Sequence, residues 1–259
     1  MRNDTLNTLI LRHGDRMLQD AGWPACVDMM QITPEQMPGW SVATGSLDAA
    51  QILTLVTHLC LPLTYGKAEL LTASARRLTG TPARFYLYPA KGFMHPEKLA
   101  DAQTVHLPFA QEWLTAAECD DLLAFLKDSV IRIAEIVRLD AHRLAAALKP
   151  SATPRLMDRQ FGDWRILADE YDHDNWLDDN DTDVLDAVLD AVLVRGAQFC
   201  PILLTLVNEK REEIDAAGVI TDMLRFPGDP ARRWLDRRVL REVIREARAT
   251  PAQPAPSPY

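Results

Sequence analysis

The chain lacks the signatures that would assign it a chemistry at sight. No apolar run approaches the roughly 18 to 20 residues that cross a bilayer, so no membrane span is expected. No glycine-rich phosphate loop, G-x-S-x-G elbow or H-E-x-x-H pair occurs. That removes the P-loop, the hydrolase nucleophile and the zincin metal site. The N-terminus carries no secretory pattern, because Arg12, His13 and Asp15 break its short apolar core. Cysteine is sparse: Cys26, Cys60, Cys119 and Cys200 lie far apart without a C-x-x-C pair. They read as reduced structural thiols, and the chain as a cytoplasmic protein. No cofactor and no metal site is expected.

What the chain does have is localised charge. Its net charge is −9, yet the stretch from Asp163 to Asp190 alone carries −10, from ten Asp and one Glu against one Arg. The remainder therefore sums to about +1, so the acidity is a local feature rather than a general coating.

Periodicity predicts an α+β protein, predominantly α-helical. A mixed part with few strands covers residues 1–110, a helical bundle 111–249, and a Pro-rich extended or disordered tail 250–259. "ARFYLYPA" is the best strand, and Ser46 reads as the cap of the helix that follows it. Thr115 and Glu118 have capping-box spacing at the head of a long amphipathic segment ending at Pro150. Within the bundle, the Val184–Leu193 stripe reads as one helix. "PILLTLVNEKREEIDAAG" reads as another, stopped by Gly218, and residues 229–249 as a third with Asp229 as its cap.

Two stretches carry functional candidates. In "TLNTLILRHGDRM" the residues Leu6, Leu9, Ile10, His13 and Met17 fall at helical spacing, with Asp4 as a cap and Gly22 just past the end. The favoured reading is therefore a helix. The same "LILRHGDR" resembles the opening of the histidine phosphatase superfamily, where a strand runs straight into Arg-His-Gly. That resemblance covers about eight residues, and Met17-Leu18 stand where the acid-phosphatase branch carries a proline. It implies a phosphomonoesterase in which His13 is the nucleophile and Arg12 and Arg16 clamp the phosphate. His173 of "YDHDN" would be the distal histidine, and Arg76 or Arg77 the middle arginine.

The acidic stretch has several readings. A calcium loop would use Asp179, Asp181, Asp183 and Asp190, but Val184 occupies the position that needs glycine. Glu170 and His173 supply only half of a di-metal bundle motif. Asp179, Asp183, Asp186 and Asp190 share one helix face opposite a Val/Leu stripe, with Trp176 beside them as an aromatic anchor. Such a face suits a basic protein partner. The competing reading is internal: residues 229–249 hold seven Arg against four acids and could neutralise part of it. That Arg-rich helix is set against nucleic acid by the negative net charge and by Glu242 and Glu246. The functional expectation is a non-enzymatic interaction protein, of inhibitor, immunity or adaptor type, with the phosphatase as alternative.

Overall fold

The computed structural model describes residues 2–32, 37–91, 97–162, 164–171, 181–208, 213–220 and 224–249. The chain divides into two compact units, a first of Leu6–Leu144 and a second of Ala145–Tyr259 together with Met1–Thr5. The tail 250–259 lies outside the described residues.

In the first unit, α1 (Arg2–Asp20, from Leu6 onward) is followed by β1 (Val27–Gln31), β2 (Ser41–Asp48), α2 (Ala49–Leu59) and α3 (Tyr65–Leu78). Then come β3 (Arg84–Pro89), the single turn α4 (Leu99–Ala102), β4 (Gln103–His106) and the long α5 (Ala116–Ala147). The four strands form one antiparallel sheet in the order β1-β2-β3-β4. Alternation fixes β3: Phe85 and Leu87 are buried, while Arg84, Tyr86 and Tyr88 face out. At the head of α5 the Thr115–Glu118 capping box forms. Glu118 Oε2 accepts the Thr115 N–H at 2.9 Å, and Thr115 Oγ1 accepts the Glu118 N–H at 3.3 Å. Leu122, Leu126, Val130, Val137 and Leu144 line the buried stripe of that helix. The cap of α2 is Asp48, reciprocally bonded to Gln51, and not Ser46, which lies in β2. Asp48 wins because Gln51 stands three residues on and completes a capping box, which Ser46 lacks.

The second unit corrects the expected helical bundle. It contains a four-stranded antiparallel sheet, β5 (Arg155–Phe161), β6 (Trp164–Glu170), β7 (Ile202–Asn208) and β8 (Glu213–Ile220), in that order. Residues 111–249 are therefore mixed, and the fold as a whole is a set of helices with two sheets rather than a predominantly helical α+β protein. The segment read as a helix ending at Gly218 is the β7–β8 hairpin. A continuous apolar run such as Ile202–Val207 has no period that separates a buried strand from a buried helix. It is a strand because it pairs with β6 on one side and β8 on the other, with Ile202, Leu204 and Leu206 buried on one face and Thr205 on the other.

Between β6 and β7 lie α6 (Thr182–Leu189) and a π-helical turn, Asp190–Val194. After β8 come the single turn α7 (Ala231–Trp234) and α8 (Arg237–Ala249). The predicted single helix over 229–249 is broken at Leu235-Asp236. Asp236 Oδ1 accepts the Arg238 N–H at 2.7 Å and starts α8 afresh. Helix α8 lays Val239 and Val243 on the sheet. Gly218 sits under them because a Cβ there would come within 2.6 Å of Val243 Cγ2 and 3.1 Å of Val239 Cγ1. Ala168, Ile202, Leu204, Ile220 and Trp234 form the core between sheet and helices.

Candidate functional site

The "RHG" stretch lies inside α1, within the first unit. His13 is buried and its Nε2 is 3.0 Å from Asp140 Oδ2 on α5. Asp140 Oδ1 accepts a hydrogen bond from Arg143 Nη1 at 2.9 Å. Gly14 marks a close approach of helix and sheet, since a Cβ there would lie 2.5 Å from Met29 Cγ on β1. Asp15 Oδ1 accepts the Met29 N–H at 2.6 Å. Burial pushes the Asp15 carboxyl above its usual range, partly offset by that hydrogen bond. Residues 13 to 15 thus tie α1 to α5 and to β1. Arg12 and Arg16 are half-buried on the same helix and engaged with neighbouring groups. Arg77 is ion-paired with Glu118. His173 lies outside the described residues. Arg12, His13 and Arg16 share α1.

The acidic stretch begins inside the second sheet. On β6, Asp169 forms a two-pronged ion pair with Arg155 directly opposite on β5. Arg165 does the same with Asp158. Glu170, at the end of β6, is buried. Its Oε1 pairs with Arg225, and its Oε2 accepts the Ser151 N–H at 2.5 Å. Burial alone would raise its carboxyl, but the Ser151 N–H and side chain and the Arg225 guanidinium outweigh it and hold it below the usual range. Glu170 is therefore engaged by Arg225 and Ser151, and the other half of the motif, His173, lies outside the described residues. No group of three metal-ligating side chains occurs among the described residues.

Further on, Asp181 caps α6 by accepting the Asp183 N–H at 2.9 Å. Asp183 is exposed in the first turn, where the helix dipole favours a negative charge. Asp186 and Asp190 are half-buried and engaged with other groups. Leu185, Val188 and Leu189 are buried on the opposite side, as the amphipathic pattern requires. Trp176 and Asp179, expected at the edge of this face, lie outside the described residues.

The arginines of the same unit are distributed elsewhere. Arg233 pairs with Asp229 at 2.9 Å. Arg237, Arg238, Arg241 and Arg245 are exposed on the outer side of α8, and none makes an ion pair among the described residues. A feature that sequence reasoning missed is a pocket of about 380 Å³ beside Arg225, walled by Phe226, Pro227 and Trp234. Only the "RFPGDP" turn could have signalled it. Among the described residues no helix is long and apolar enough to cross a membrane.

Residues 3–144 match the family described as the N-terminal domain of YubG, and residues 152–253 match the C-terminal domain of YubG. The two matches meet where the chain divides into its two units. No solved structure matches the chain. The chain belongs to the YubG family.

Proposed function

We propose that this member of the YubG family is a cytoplasmic, non-enzymatic interaction protein, an inhibitor, immunity-type protein or adaptor. It presents the acidic segment that runs into α6 to a basic protein partner. The observation that carries this reading is the placement of the unit's own arginines. Arg155, Arg165, Arg225 and Arg233 are bound to Asp169, Asp158, Glu170 and Asp229. Arg237, Arg238, Arg241 and Arg245 of α8, the natural internal complement, stand exposed without an ion pair among the described residues. From Asp172 through Asp190 the sequence places eight Asp and no Lys or Arg. A concentrated like-charge surface of this kind steers a basic partner towards it and disfavours acidic ones.

The test is charge reversal at two acids of the segment. Asp179→Lys with Asp183→Lys is expected to abolish capture of the partner that the wild-type chain retains at low salt, while the circular dichroism spectrum and the melting temperature stay in place. Capture that survives both substitutions contradicts the reading.

A further inference from the structure

The pocket beside Arg225 lies wholly within the second unit, and its chemistry points to a ligand class. One wall is apolar and largely aromatic: Leu156, Phe226, Pro227 and Trp234. The other holds Arg225, whose side chain is only 10% exposed. Its Nη2 is held by Glu170, yet its Nε–H is buried without a hydrogen-bond partner. A buried orphan donor on a charged group is costly, and native structures rarely keep one without a reason. Next in sequence to the lining residue Gly196, Arg195 places its guanidinium over the Phe226 ring, 4.6 Å from its centroid.

The charge balance then decides the sign of the ligand. Glu170 compensates Arg225, and Asp229 is compensated by Arg233. Arg195 makes no ion pair among the described residues, so the pocket surroundings are left with one positive charge. Gly196 and Gly228, both lining it, adopt φ of 68° and 81°, which side chains with a Cβ rarely take. A volume of about 380 Å³ is at the lower end of small-molecule sites.

We propose that this pocket binds a small monocarboxylate with a planar apolar body. The body stacks against Phe226, Pro227 and Trp234, and the carboxylate accepts hydrogen bonds from the Arg225 Nε–H and the Arg195 guanidinium. The site is independent of the acidic face, so either proposal can fail without the other.

The experiment uses the full chain and three probe acids, benzoate, phenylacetate and indole-3-acetate, with phenylacetamide as the neutral isostere and acetate as the ringless control. The readout is the indole N–H resonance of Trp234, assigned by Trp234→Phe. At least one ring-bearing acid is expected to shift it saturably, with the amide and acetate weaker by about tenfold or more. Arg195→Gln, an exposed change that leaves the fold alone, is expected to weaken binding by about fivefold. Arg225→Met alone risks leaving Glu170 as an unpaired buried charge. The paired variant Arg225→Met with Glu170→Gln removes both charges together. That variant is expected to stay folded and to lose saturable binding. Binding of the amide as tight as that of the acid overturns the proposal. So does undiminished binding in the paired variant, or no shift with any of the three acids.

Discussion

His13 and Asp140 stand 127 residues apart in sequence, and a 3.0 Å contact between Nε2 and Oδ2 joins them. The histidine that resembles a phosphatase nucleophile is a tie between α1 and α5. His13→Ala is therefore expected to lower stability by about 1–2 kcal/mol in urea unfolding. A double-mutant cycle with Asp140→Asn should return a coupling of about 0.5–1.5 kcal/mol. Hydrolysis of a phosphomonoester should stay at background in wild type and variant alike. Activity that disappears with His13 contradicts this assignment.

Gly14 gives a sharper sign. In an exposed helix Gly→Ala stabilises by about 1 kcal/mol, through lower backbone entropy in the unfolded chain. Here the new Cβ would lie 2.5 Å from Met29 Cγ and 3.0 Å from Met29 Cβ. Crowding of that kind costs about 1–3 kcal/mol, so Gly14→Ala should destabilise on balance. Adding Met29→Ala should recover much of the specific clash, read as a smaller effect of Gly14→Ala in that background. A stabilising Gly14→Ala would show that β1 does not approach α1 this closely.

The Glu170–Arg225 pair predicts asymmetry between single and double changes. Arg225→Met alone strands a carboxylate that is only 4% exposed, and should cost about 3 kcal/mol or more. The companion change Glu170→Gln should return most of that loss, as measured by chemical denaturation. Equal losses in single and double variants would mean that the charges do not interact.

Glu118 sets a pH dependence. The Arg77 guanidinium first, then the Thr115 N–H and hydroxyl, hold its carboxyl at about 2, against an ordinary value of 4.5. A depressed folded pKa contributes stability that is present above the unfolded value and is lost as pH falls through the folded one. The melting-temperature gap between wild type and Glu118→Gln should therefore be full above an ordinary pKa of 4.5 and close as pH falls towards about 2. A gap independent of pH in that window would remove the ion pair and cap from the account.

Local signals were legible in the sequence wherever they were self-contained. The 3.6-residue period gave α1 and α5, the aromatic alternation gave β3, and the Thr115–Glu118 spacing gave a cap that forms. What depended on distant pairing was not legible. The β7–β8 hairpin looks helical because its apolar run carries no period, and its identity comes from β6 on one side and α8 over Gly218. Gly218 itself, read as a helix stop, is a contact glycine. The pocket beside Arg225 was invisible for the same reason: Glu170, Leu156 and Trp234 meet only when sheet and helices pack. In the acidic stretch the sequence could count charges, but could not say which arginines answer them.

The most direct test of the proposed function is site-specific photo-crosslinking from Val184, which is 36% exposed on α6 beside Asp183. Performed in cells that express the full chain, it is expected to trap a discrete partner whose crosslinked surface is rich in Lys and Arg. The crosslink should disappear with Asp179→Lys and Asp183→Lys. A partner joined through an acidic or apolar surface, or a crosslink indifferent to those reversals, would contradict the account.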